Sequence, residues 1–131
     1  MGIFDKIFKS EQDIAKEEIN RVPWKEITGI EMLEEISQGS HQRPAAILKH
    51  STSCGISRMV LRQFEKDFNI EAGKVDLYFL DLLRYREISN KIASKFNVPH
   101  ESPQLIIVKE GRVVYDASHG AIAAESLNQF I

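Results

Sequence analysis

The run Pro44 to His50 (PAAILKH) is apolar along most of its length and gives way to small polar residues, and no other stretch constrains the fold as much. A short apolar run bounded by proline on one side and Ser, Thr and Gly on the other predicts a strand covered on both faces. Such a strand belongs in the middle of a sheet with helices packed against it. Ser51 to Gly55 (STSCG) form the turn that follows. Beyond it, Ile56, Val60, Phe64 and Phe68 recur at every fourth position and draw one stripe along an α-helix. The local plan is strand, turn, helix, with the chain's single cysteine, Cys54, in the turn.

The rest of the chain repeats that alternation. Val75 to Leu83 (VDLYFLDLL) reads as a second central strand, and Ile88, Ile92 and Phe96 mark a helix that must stop before Pro99. After Pro103 come two β-rich runs, LIIV and RVVYDA, joined by Glu110-Gly111, a dipeptide that suits a hairpin turn. Upstream, Pro23 and Trp24 open the domain, Lys25 to Thr28 predict a short edge strand, and Ile30 to Ser37 a helix ended by Gly39 and Ser40. A last helix is expected from about Ala123 to Ile131. Residues 1–21 read as an amphipathic helical extension, with Ile3, Phe4, Ile7 and Phe8 on one side, that packs on its own domain in preference to a membrane surface or a partner. Lys6 stands where a myristoylation signal needs Ser or Thr. Residues 22–131 then form an α/β domain of thioredoxin-like architecture, a central mixed sheet with helices on both faces.

Composition narrows the function. A chain of 131 residues with 43% hydrophobic and 27% charged residues forms one compact domain with a core of its own. With 17 Lys and Arg against 19 Asp and Glu, the formal net charge of −2 offers no basic field for nucleic acid. No apolar run approaches the ~20 residues of a membrane span, and Asp5, Lys6 and Lys9 interrupt the N-terminal cluster, so a cytoplasmic location is expected. One cysteine builds neither a disulfide framework nor a CxxC pair, so thiol chemistry must take its second sulfur from another molecule.

Cys54 falls at the first turn of a helix, where free backbone N–H groups and the positive end of the dipole favour a thiolate. A lone cysteine is most often a small buried hydrophobe, but the small polar neighbours Ser51, Thr52, Ser53 and Gly55 favour an accessible nucleophile. Ser57, one helical turn on, is close enough for its hydroxyl to reach the sulfur, although a polar residue at a helix start needs no such role. Ser102-Pro103 precedes the LIIV strand, and its position between a strand-turn-Cys-helix and a hairpin predicts a cis peptide bond in a loop beside the cysteine. His100, just before that loop, is placed to touch a bound thiol. His41, His50, His100, His119 and Cys54 show no metal-ligand spacing, so no metal site is expected. His50 and His119 read as polar residues at strand ends, and Lys49 and Arg58 as ordinary solvated charges that could also steer an acidic ligand.

KHSTSCGIS at 49–57, HESPQ at 100–104 and ASH at 117–119 resemble the YtxJ-like monothiol bacilliredoxins, a thioredoxin-fold family of the bacillithiol redox system. The resemblance covers about residues 22–131. It implies that Cys54 and Ser57 are catalytic, the redox cysteine and the closing serine, and that Thr52, Ser53, Gly55, His100, Ser102 and Pro103 bind the thiol. Glu101 falls in the same loop motif. Where the family usually has proline after the cysteine this chain has Gly55, which loosens the turn and adds an amide donor near the sulfur. Position 48, six before the cysteine, holds a buried acid in dithiol thioredoxins; here it is Leu48, and there is no resolving thiol to serve. The implied activity is removal of bacillithiol from S-thiolated cytosolic proteins, with bacillithiol as thiol co-substrate and no permanently bound cofactor. Two other readings stand beside it. Cys54-Gly55-Ile56-Ser57 also resembles the CGFS signature of iron–sulfur-carrying monothiol glutaredoxins, although GRVVYDASHG lacks their Gly-Gly-x-Asp turn. A redox-sensing module without turnover is the third.

Overall fold

The computed structural model describes residues 22–131, and the helical extension expected over 1–21 lies outside the described residues. Five strands form a single sheet in the order β1-β3-β2-β4-β5. They are β1 Lys25–Glu26, β2 Ala45–His50, β3 Asp76–Asp81, β4 Gln104–Lys109 and β5 Arg112–Ser118. Between them run α1 Glu31–Gly39, α2 Gly55–Asp67 and α3 Arg86–Lys95. β1, β3 and β2 are mutually parallel, whereas β4 is antiparallel to β2 and to β5. The sheet is mixed and covered on both faces, the thioredoxin-like arrangement expected from the element order.

β2 is the centre of this sheet. All of its residues are buried, as a strand between two packed layers requires. Its alternate side chains divide the interior into two cores. Ala46 and Leu48 join Phe64 of α2, Phe68 just past its end, and Ile122 and Leu127 from the chain's end. Ala45 and Ile47 join Leu33 and Ile36 of α1 and Ile88 and Ile92 of α3. The hairpin closes at Glu110 and Gly111, whose φ angles of 54° and 77° are those of a type I′ turn. Both turn amides are captured by Ser40, Glu110 N–H by its carbonyl at 2.9 Å and Gly111 N–H by its hydroxyl at 2.8 Å.

Three elements differ from the expectation. The edge strand shrinks to Lys25–Glu26. Beyond it Ile27 turns inward, its amide donating to the Phe79 carbonyl at 2.8 Å and its side chain fully buried. The closing segment is not an α-helix: it forms 3₁₀ turns over His119–Ala121 and Ala124–Phe130. There the apolar residues Ala124, Leu127 and Phe130 fall three apart, which the three-residue repeat of a 3₁₀ helix brings onto one side. Finally, Ile56 does not extend the buried stripe of α2, because it sits at the open end of the helix and is 59% exposed.

Phe64 is 1% exposed, and its ring centroid lies 5.5 Å from Trp24 and 6.3 Å from Phe68. Phe64→Ala is expected to lower stability by ~3–5 kcal/mol through lost burial and the cavity left behind. Urea unfolding followed by Trp24 fluorescence measures this, and a loss below about 1 kcal/mol contradicts the packing described.

Candidate functional site

The candidate site residues gather where β2 ends. Past His50 the backbone turns, the Cys54 amide donating to the Ser51 carbonyl at 3.1 Å, and α2 begins. Cys54 is the N-cap of α2, extended at φ −97° and ψ 122°, and its carbonyl accepts the Arg58 amide at 3.1 Å. The side chain is partly exposed. Thr52 and Ser53 are exposed on the same turn, which is tied by a 3.3 Å contact between the Ser51 and Ser53 hydroxyls.

This placement acts on the sulfur. The Ser57 amide, the Ile56 amide and the Ser57 hydroxyl, in that order, hold the Cys54 thiol below its ordinary value, with a weaker push from the Arg58 guanidinium and an opposing one from burial. All of these groups belong to the first turn of the helix. Ser57 is buried, and its hydroxyl completes no hydrogen bond among the described residues. It therefore acts on the thiol as a nearby dipole and not as the formed hydrogen bond expected from spacing. The amide that glycine adds at position 55 is not among the donors to the sulfur. Gly55 is the first helical residue, and a Cβ there would meet nothing within 4 Å.

β4 supplies the other half of the site. It is antiparallel to β2, with Lys49 opposite Gln104, so the segment leading into β4 lies at the same end of the sheet as Cys54. The Ser102–Pro103 peptide bond there is cis. Pro103 is buried, Ser102 half-buried, and the Pro103 carbonyl accepts the His119 amide at 3.1 Å. Gln104 braces the segment from within: its side-chain amide donates to the Pro99 carbonyl at 3.0 Å and its side-chain oxygen accepts the Glu101 amide at 3.3 Å.

The charges flanking Cys54 do not behave alike. Arg58 is exposed, as expected, but Lys49 is 0% exposed. A strand covered on both faces leaves no position for a solvated charge, and alternation directs Lys49 toward α3. Its ammonium donates to the Ser89 carbonyl and to His100 Nδ1, each at 3.3 Å, and Ser89 Oγ lies 3.3 Å from the same ring nitrogen. Burial lowers the Lys49 pKa to about 8. Burial, then the Lys49 ammonium, lowers that of His100, with Glu101 opposing. Lys49 is the residue that sequence reasoning missed, and the signal was its place inside the PAAILKH run.

The remaining histidines divide. His50 ends β2 as expected but is 3% exposed, its ring 5.2 Å from Phe79 and its pKa lowered mainly by burial. His119 follows β5 at a φ of 54° and lies 3.8 Å from the Glu101 carboxylate across the surface. Among the described residues no three His, Cys, Asp or Glu side chains are grouped to hold a metal ion.

Comparison with known proteins agrees with this geometry. Residues 25–127 match the model of the monothiol bacilliredoxin BrxC family. A solved structure described as having a thioredoxin fold is 34% identical, covering 81% of this chain and 91% of its own, with a TM-score of 0.67. The thioredoxin of Malassezia sympodialis is 21% identical, with a TM-score of 0.61 over 80% of this chain and 88% of that one. The thioredoxin of Fasciola hepatica is 18% identical, with a TM-score of 0.61 over 82% of this chain and 99% of that one. The last two likenesses are of fold.

Three outcomes follow from the electrostatics. The rate of Cys54 alkylation by iodoacetamide should titrate with a midpoint below the ~8.5 of a free thiol, and a midpoint at or above it removes the helix-terminus effect. Gly55→Pro should raise stability by ~0.5–1 kcal/mol and leave that midpoint in place, because position 55 starts the helix and the extended Cys54 accommodates a following proline. Lys49 ionises at about 8 in the folded chain against 10.5 as the ordinary value, so between these values the unfolded chain binds more protons and stability rises with pH. Lys49→Met should therefore exceed wild type by ~1–3 kcal/mol below pH 8, with the gap closing as pH climbs, in urea titrations at several pH values.

Proposed function

Because the chain belongs to the monothiol bacilliredoxin family, we propose that it is a thiol-disulfide oxidoreductase that removes bacillithiol, or a small thiol of the same kind, from protein mixed disulfides through Cys54. The observation that carries this reading is a partly exposed sulfur held below its ordinary pKa at a helix N-terminus, in a chain with no second thiol. Such a sulfur is nucleophilic near neutral pH and has no partner of its own with which to close a disulfide.

The exchange proceeds in two displacements. The Cys54 thiolate attacks the sulfur of the small thiol within the mixed disulfide, a new S–S bond forms, and the target protein leaves as thiolate and takes up a proton. Cys54 then carries the small thiol as a mixed disulfide. A second molecule of low-molecular-weight thiol, as its thiolate, attacks that adduct and regenerates Cys54 while forming the small-molecule disulfide. The amides of Ile56 and Ser57 stabilise the sulfur anion both before attack and when it leaves. Thr52, Ser53 and Gly55 on one side and His100, Ser102 and Pro103 on the other are the residues that would line the bound thiol.

Protein substrates need an apolar landing area, and one adjoins the sulfur in sequence. Ile56 and Met59, on the first turns of α2, are 59% and 71% exposed, and Leu83, just beyond β3 at the same end of the sheet, is 46% exposed. Exposed apolar side chains at the end of the sheet that carries a reactive group favour contact with another protein.

The test is de-thiolation of a bacillithiol-modified protein, followed by mass spectrometry of the enzyme. Wild type should release the target thiol and retain the small thiol on Cys54. Cys54→Ala and Cys54→Ser should both be inactive, since a serine hydroxyl is scarcely ionised at neutral pH. Ser57→Ala should slow attack by only ~2–10-fold, as far as its dipole lowers the thiol pKa. Absence of turnover together with a brown, cluster-transferring dimer after anaerobic reconstitution would replace this reading with cluster carriage.

A further inference from the structure

The core between the sheet and α3 is apolar except at one end, where β2 and β4 approach the segment 99–103. Lys49 and Gln104 are cross-strand partners on the face that carries Ile47, Leu80 and Ile106. They and Ser89 of α3 are at most 1% exposed. An ammonium taken out of water is costly, and this one is satisfied only by a carbonyl and an imidazole nitrogen, with no carboxylate among its described hydrogen-bond partners. Leucine or methionine at position 49 would continue the apolar core at lower cost.

The contacts show what the charge does. Lys49 and Gln104 both act on the same short segment, Lys49 through His100 and Gln104 through Pro99 and Glu101. A protonated lysine can only donate, so His100 Nδ1 must accept. The proton of the neutral ring is thereby placed on Nε2, the nitrogen turned away from the buried cluster. The other charges acting on His100 are Glu101 beside it in the loop and Arg86 at the start of α3. His100 itself is exposed.

We propose that Lys49 is a positioning residue for exchange at Cys54: its buried ammonium, shared between the Ser89 carbonyl and His100 Nδ1, pins the 99–103 segment to the sheet and fixes His100 as an Nε2–H donor toward the bound thiol compound. This deepens the function proposed above and rests on it. Lys49 touches no reacting atom; it acts through His100. The charge therefore trades stability for a defined donor at the mouth of the site.

A double-mutant cycle on the full chain tests this, using Lys49→Met, His100→Phe and their combination with a bacillithiol-modified protein as substrate. Each single variant should raise KM by ~3–10-fold, the worth of one well-placed hydrogen bond, with the Cys54 alkylation midpoint unmoved. The double variant should be no worse than either single one, because both remove the same device. Lys49→Gln, which keeps a neutral donor in place, should recover most of the loss. Nitrogen NMR of His100 should show one tautomer in wild type and a mixture in Lys49→Met. Wild-type KM in Lys49→Met, additive losses in the double variant, or an unchanged tautomer each overturn the proposal. If wild type itself does not turn over, the functional reading fails separately, and the tautomer then decides the Lys49–His100 coupling.

Discussion

Burial of β2 on every side is the constraint from which the site follows. Its edges are hydrogen-bonded to β3 and β4, its faces are covered by α2 on one side and by α1 and α3 on the other, and none of its residues reaches solvent. The chain becomes accessible again only past His50, along the strand axis. At that point α2 begins and exposes the unpaired amides of its first turn, so the cysteine at the turn receives the amide donors that no central strand position could offer. Antiparallel pairing with β4 then brings the cis Ser102–Pro103 bond to the same end. A reactive group at the carboxyl ends of parallel strands, served by loops on a rigid sheet, is the usual solution in open α/β folds.

The two faces of β2 are used differently. The face toward α2 is apolar from Ala46 to Leu48 and supports the helix that carries Cys54. Leu48 is part of that support, and the chain has no second thiol that an acid at that position would serve. The face toward α3 ends in Lys49, beside Gln104, Ser89 and His100. These groups supply one another's hydrogen bonds in a dry environment, where a satisfied polar network makes one geometry strongly preferred. The loop at that end of the sheet is thus held by directional bonds from below, while the cysteine turn is held mainly by its own helix.

Much of this was legible from residue pattern because the local signals agreed. The PAAILKH run, the every-fourth stripe of α2 and the Glu110-Gly111 turn each specify one element by a short-range rule, and together they leave few ways to order the strands. Where the structure departs from the pattern, the cause is non-local. Ile56 belongs to the stripe by spacing, but the sheet does not extend far enough to cover it. The chain's end is rich in helix-forming residues, yet packing of Ala124, Leu127 and Phe130 against the sheet selects the three-residue repeat.

By itself the sequence determined that the chain has a single thiol, that this thiol follows a buried strand and opens a helix, and that a proline precedes the next strand. These are properties of neighbours in the chain, and neighbour chemistry is what hydrophobic period and turn residues encode. Only the tertiary structure decided which groups meet across the sheet. Lys49, Ser89, His100 and Gln104 come from β2, α3, the loop and β4, and their contact depends on strand register and on which face alternation assigns to each residue. A shift of one residue in β2 would point Lys49 into the opposite core, and one in β4 would do the same to Gln104, so the role of Lys49 is a property of the assembled sheet and of no single segment.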